Sequence, residues 1–334
     1  MKALVLARNG PVENNPLKFE TVDDPVPGQG EIRLKVHVCA VCRTDLHIIE
    51  GELKTHQFPL VPGHQIVGIV DQVGPGSRRF RIGDRVGVAW LRHTCGQCAF
   101  CRSDRENLCE KCLFTGYHAH GGFAEFATVD ENYAYQIPAI FSDAEAAPLL
   151  CAGIIGYRAL KRSQLPAKGT LGIFGFGSSA HVIIQIAKHR GHQICVVSRS
   201  ENHRKLAEDL GADWVGDSTG TLPAMLDSVI IFAPVGTVVP SALSVTKRGG
   251  TVVLAGIYLS DIPPLNYEKH LFYERNLCSV TANTRVDGIE CLSQAAEIPI
   301  RPKVTVFPLE EGNRALQDLK ADKISGTGVL VIKG

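Results

Sequence analysis

From Thr170 onward the chain alternates short, almost uninterrupted apolar runs with helix-length segments. TLGIF precedes a helix to Arg190, QICVVS a helix ending at Gly211, and SVIIFAP a third; TVVLAGI and LCSVTAN follow. Strands apolar on both faces need cover on both faces, and helical crossovers make neighbouring strands parallel. The pattern therefore predicts a doubly wound α/β sheet over residues 151–285. Residues 1–150 obey a different rule. Short strands (Leu34–Val41, Ile66–Gly74, Phe123–Asp130, and a turn then strand in Phe80–Val88) lie between the turn pairs Pro27-Gly28, Pro62-Gly63 and Pro75-Gly76. That is the punctuation of a β-rich domain. Between the two, Ser142–Leu160 predicts one helix capped by Ser142 or Asp143. Residues 286–334 are mixed and are expected to return to the first domain.

Composition excludes several classes. The chain has 334 residues, is 45% hydrophobic and carries a formal net charge of +1. A near-neutral surface gives no field for nucleic acid or anionic membrane. No window reaches the roughly 18 consecutive apolar residues of a membrane span. The start, MKALVLARNG, lacks the apolar core and small-residue cleavage site of a secretory leader. A cytoplasmic protein is expected, and there clustered cysteines are metal ligands or reactive thiols before they are disulfides.

In LGIFGFGSSAH, Gly175 and Gly177 end a strand and Ser178 opens a helix, with Ala180 in the third fingerprint position. The first glycine permits the tight turn, and the second lets a pyrophosphate approach the helix N-terminus, so a dinucleotide site is predicted. An NAD site usually carries an acid at the end of the next strand, for the ribose 2′-hydroxyl. This chain has Ser198-Arg199-Ser200. A guanidinium between two hydroxyls suits a 2′-phosphate, so NADP(H) is preferred over NAD(H); otherwise Arg199 is a solvated surface residue.

His93–Cys112 holds five of the eleven cysteines. Cys95, Cys98, Cys101 and Cys109 have the spacing of a closed four-thiolate zinc site of structural type, with iron–sulfur ligation as the rival. Cys112 is a bystander or a competitor for the metal. A second set is Cys42, His64 and Cys151: two sulfurs and one nitrogen, the open three-ligand pattern that leaves a position for water or substrate. Singly, each is equally a core cysteine or a hydrogen-bonded histidine.

Taken together, Cys42-Arg43-Thr44-Asp45-Leu46-His47, Gly63-His64, Gly83-Asp84-Arg85-Val86, the four-cysteine lobe, Cys151 and the nucleotide fingerprint occur in an order that resembles the zinc-dependent medium-chain alcohol dehydrogenases over essentially the whole chain. The resemblance implies a GroES-like catalytic domain, a Rossmann cofactor domain and an active site in the cleft between them. It implies two zinc ions per subunit: a catalytic one on Cys42, His64 and Cys151, and a structural one on Cys95, Cys98, Cys101 and Cys109. It further implies that Thr44 contacts the substrate oxygen, that His47 continues the proton path to solvent, and that Asp45 orients a ligand imidazole. Arg43 and Arg285 would meet the pyrophosphate, and Trp90 and Leu53 would wall the pocket. The substrate would be a small alcohol or aldehyde, with aldehyde reduction the dominant direction, and the assembly a homodimer or homotetramer. One departure stands out. Gln65 follows His64 where the family commonly has glutamate, so the shape is kept and a negative charge behind the metal is lost.

Rival readings lose a feature each. A zinc-independent quinone or enone reductase needs neither metal set, and a polyol dehydrogenase often uses an acid where Cys151 stands. A non-catalytic NADPH-binding protein would not need the catalytic ligands. A nucleic-acid-binding zinc module would need more Arg and Lys than this chain carries. An NAD(H)-dependent enzyme of the same family remains the alternative on cofactor.

Overall fold

The computed structural model describes residues 1–298 and 300–332. Two compact units are present: Met1–Cys151 with Ala282–Ala296 and the chain from Pro302, and Ala152–Thr281 with Glu297–Arg301.

In the first unit, β1 (Lys2–Leu6) and β2 (Leu17–Thr21) form an antiparallel pair. β3 (Glu31–Ala40) is the hub. Its alternating burial puts Ile32, Leu34 and Val36 into the core, as period-2 patterning requires. Helix α1 (Arg43–Glu50) follows, then β4 (Gln65–Val73), β5 (Arg85–Val88), the short pair β6 (Leu91–His93) and β7 (Leu113–Phe114), β8 (Phe126–Asp130) and β9 (Ala134–Gln136). β3 pairs with β4 along one edge, while its first half pairs with β8 along the other.

The segment read from sequence as one helix is not one. α2 (Asp143–Ala146), capped by Ser142 as expected, passes into a 3-10 turn over Ala147–Leu150. Cys151 then breaks the helix at φ −133°, ψ −67°, and α3 (Ala152–Arg162) begins after it. Pro148 supplies no backbone N–H for a continuing helix, which accounts for the tightened turn.

The second unit is built on β10 (Thr170–Phe174), α4 (Ser178–His189), β11 (Gln193–Val197), α5 (Glu201–Asp209), β12 (Trp214–Gly216), β13 (Leu226–Ile231), α6 (Val238–Val245), β14 (Thr246–Leu254), α7 (Tyr267–His270) and β15 (Asn276–Ser279). Its six strands are all parallel, in the order β12-β11-β10-β13-β14-β15. Counted within the unit this is 3-2-1-4-5-6, the doubly wound order in which a dinucleotide lies at the carboxyl end of the first strand. The chain then re-enters the first unit through α8 (Arg285–Glu297), β16 (Val304–Pro308), α9 (Gly312–Lys320) and β17 (Thr327–Val331). β17 completes the sheet by pairing with Val38–Ala40 of β3. The core beneath includes Leu4, Ile48, Ile66 and Leu330, all at most 1% exposed. No helix among the described residues is long and apolar enough to cross a membrane.

Candidate active site and metal centres

Cys42 is the N-cap of α1, and its extended backbone points its N–H at Asp45, whose Oδ2 accepts it at 2.8 Å. The other carboxylate oxygen of Asp45 lies 3.1 Å from His64 Nδ1. One fully buried carboxylate thus fixes both the start of the helix and the orientation of an imidazole two strands' length away in sequence. Cys151 arrives from the helix break. The ligand atoms of Cys42, His64 and Cys151 all lie within 4.8 Å of one another.

Does this set fit a metal? His64 is fully buried, Asp45 holds its Nδ1, and its Nε2 has no hydrogen-bond partner among the described residues. Buried polar atoms are nearly always satisfied, so an orphan nitrogen beside two sulfurs is the signature of a ligand position. The three groups share protons unevenly. Cys42 is held well below the ordinary thiol range by a hydrogen bond from Cys151, against burial and with help from His64. Cys151 is pushed up by that same bond and by burial. Burial disfavours a charged His64, yet Asp45 and then Cys42 outweigh it and raise the imidazole to about 10. The Cys42 thiolate favours a cation at the centre, and His64 and Cys151 hold their protons there until a metal displaces them. The residues fit a divalent cation.

Around this centre, Thr44 is buried with its Oγ1 3.5 Å from Cys42 Sγ. His47 sits in the last turn of α1, paired through Nδ1 with Glu52. Gln65 opens β4, donates from Nε2 to Ala40 O at 3.4 Å, and leaves Oε1 without a partner among the described residues. Trp90 stands edge-on to His64 at 4.9 Å between centroids and is stacked by Phe114 at 4.8 Å and Tyr117 at 5.7 Å. Leu53 is half-buried against the same core. Sequence alone singled out Trp90 but not its stacking partners, Phe114 of β7 and Tyr117 just beyond it, more than twenty residues away. Nearby, His118 is half-buried and stacked on His56 at 4.3 Å.

The lobe cysteines converge too. Cys98 and Cys101 sulfurs are 3.5 Å apart, Cys95 and Cys101 3.9 Å, and Cys109 Sγ accepts from Cys95 N at 3.4 Å. All four sulfurs lie within 4.8 Å of each other. Backbone donors at Gln97 and Cys98 lower the Cys95 thiol to about 6, the form a metal needs. Cys112 stays outside the four and packs half-buried on the core, its thiol pushed up by burial. Cys95→Ser is expected to lose one metal equivalent and to lower the melting temperature by several degrees, since structural zinc contributes directly to folding. Elemental analysis and calorimetry would show it; unchanged metal content and melting would refute a structural role.

Two arginines have structural employment. Arg285, expected at the pyrophosphate, belongs to the first unit and is committed to Glu106 of the lobe. The buried Glu106 carboxylate accepts from Arg285 N, Nε and Nη2 at 2.6–3.0 Å, and the guanidinium packs on Tyr133. Arg285 thus ties the start of α8 to the lobe. Arg43 is ion-paired with Asp322 at 2.5 Å, on an exposed edge.

In the second unit, Gly175 has φ +84°, and a Cβ there would meet Ala233 N at 2.7 Å, so only glycine fits. Gly177 is different. Its backbone is extended, and no other described atom lies within 4 Å of where a Cβ would stand. That point lies beside the N-terminus of α4, where Ser178 begins the helix. This is a cradle suited to a pyrophosphate. At the end of β11, Ser198 is buried and Arg199 exposed. Arg204, which sequence reading missed, donates to the carbonyls of Ser198 and Arg199 at 2.8 and 2.9 Å and brings a second guanidinium there. Ser200 is spent on capping α5.

Residues 28–139 match the alcohol dehydrogenase GroES-like domain, and residues 180–297 the zinc-binding dehydrogenase family. The chain is 48% identical to a probable alcohol dehydrogenase of Mycobacterium tuberculosis, over 99% of this chain and 97% of that one. It is 37% identical to cinnamyl alcohol dehydrogenase 1 of Medicago truncatula, over 92% and 89%. Among solved structures, a cinnamyl alcohol dehydrogenase of Sorghum bicolor superposes with a TM-score of 0.89 at 27% identity, covering 99% of this chain and 97% of that one. With its parallel nucleotide-type sheet, its β-rich partner unit and its two cysteine-centred clusters, the chain belongs to the zinc-dependent medium-chain alcohol dehydrogenase family.

Proposed function

We propose that the protein holds two zinc ions and uses NADP(H), in preference to NAD(H), to interconvert primary alcohols and aldehydes, with reduction dominant. The observation that carries the reading is the buried Cys42–His64–Cys151 set, its orphan Nε2 and the carboxylate of Asp45 behind it. When bound, zinc supplies a Lewis acid to the substrate oxygen and the nicotinamide gives or takes the hydride. The remaining work falls to the chain. Thr44 holds the hydroxyl proton of the substrate, and His47 moves it towards solvent. Trp90, Phe114 and Tyr117 give a planar wall, with Leu53 beside it, that suits an aromatic group; the cinnamyl alcohol dehydrogenase relatives support this.

The cofactor preference is supported by Ser198 and Arg199 standing where an acid would repel a 2′-phosphate, and by the second guanidinium of Arg204. Gly175, Gly177 and Ser178 would take the pyrophosphate, with Arg43 released from Asp322 to meet it. Assembly as a homodimer or homotetramer and a cytoplasmic location belong to the same reading. They are supported by the free edge of β15, which pairs only with β14 among the described strands, and by eleven free cysteines.

The test is the initial rate of NADPH and NADH oxidation over a panel of aliphatic and aromatic aldehydes, on protein of measured zinc content. Turnover at least about tenfold better with NADPH is expected, a preference of roughly one charge-assisted hydrogen bond. Faster turnover with NADH would overturn the cofactor assignment and keep the enzyme. Silence with every aldehyde and both cofactors, at full zinc content, would overturn the reading itself.

A further inference from the structure

His47 spans the boundary between interior and surface. Its Nε2 is buried, whereas its Nδ1 meets Glu52, a carboxylate on the exposed side. The chain builds this contact deliberately. Gly51, at φ +82°, ends α1 and donates to Ile48 O at 3.2 Å; Leu53 N then donates to His47 O at 2.9 Å. These two bonds fold the segment after the helix back over its last turn, and Glu52 lands on the imidazole edge. Nothing in the sequence pattern signals the pairing, because a glutamate after a C-terminal glycine is usually a solvated residue.

We propose that Glu52 is a positioning residue for His47, keeping the ring proton on Nδ1 so that the buried Nε2 presents a lone pair to the interior. A neutral imidazole carries one proton, and a carboxylate on one nitrogen decides which. Free imidazole side chains otherwise distribute their proton between the two nitrogens, and a ring with Nε2–H could not accept a proton from that side. Once Nε2 has taken a proton, the Glu52 carboxylate faces the imidazolium and balances its charge. This inference rests on the reading in which His47 moves the substrate proton; the tautomer it assigns does not.

The experiment is therefore in two parts, both on the zinc-loaded full-length enzyme. Long-range 1H–15N correlation of the 15N-histidine-labelled protein, with His47 assigned by the signal lost in His47→Asn, is expected to show Nδ1–H in the wild type. In Glu52→Ala the same ring should move towards Nε2–H. The single-turnover rate of NADP+ reduction by alcohol should fall about tenfold in Glu52→Ala, with KM for the dinucleotide unchanged, and recover in Glu52→Asp to within about threefold; tenfold corresponds to one hydrogen bond to a charged group. In a His47→Asn background the same change at 52 should cost less than about twofold, because coupled residues are not additive. A wild-type ring already protonated on Nε2, or a ring unmoved by Glu52→Ala, overturns the proposal. So does an equal loss in both backgrounds. A His47→Asn enzyme that turns over like the wild type instead removes the proton path beneath it, and the spectrum still decides Glu52.

Discussion

Cys151→Ser is expected to lower kcat/KM by at least about 1,000-fold, the loss of several kcal/mol of charge stabilisation at the reacting oxygen. Serine preserves the volume and, since Cys151 lies outside both flanking helices, disturbs neither of them. It cannot supply a thiolate at any accessible pH. Zinc content should fall from two per chain to one while the far-ultraviolet circular dichroism stays unchanged. Retained activity with two zinc ions would mean that the third ligand is another residue, and the convergence of Cys42, His64 and Cys151 within 4.8 Å would then need a different explanation.

The second large effect is on cofactor choice. Arg199→Glu should reduce kcat/KM for NADPH by about 100-fold, since it removes charge-assisted hydrogen bonds to a 2′-phosphate and introduces repulsion. The rate with NADH should change by less than about threefold, because Arg199 is exposed. Equal losses with the two cofactors would show Arg199 acting on the common part of the dinucleotide. No loss with either would leave it a solvated surface residue.

Much of this was legible in the residues. The apolar runs of β10, β11 and β13 required a covered parallel sheet, and the ligand sets could be read as sets because cysteine and histidine have few other reasons to recur at such spacings. The misses share one physical cause. The bond from Arg285 to Glu106, 179 residues away in sequence, has no local signal. Phe114 and Tyr117 became part of the Trp90 wall only through the pairing of β7 with β6. The helix break at Cys151 was hidden because Ser142–Leu160 is helix-prone almost throughout, and one proline does not reveal where a 3-10 turn will end. Local pattern shows which residues can carry chemistry; long-range pairing decides which arginines and glutamates are left to do so.

Asp45 gives one carboxylate two obligations: it closes the first turn of α1 and it orients His64. Adaptation at this position is therefore constrained on two fronts at once. A change that tunes the imidazole must also rebuild the helix start, and a change that keeps the cap must still match the ring. Variation in reactivity has an easier route through neighbours with a single duty, and Gln65, one residue beyond the imidazole and with its side chain bonded only to Ala40 O among the described residues, is such a neighbour.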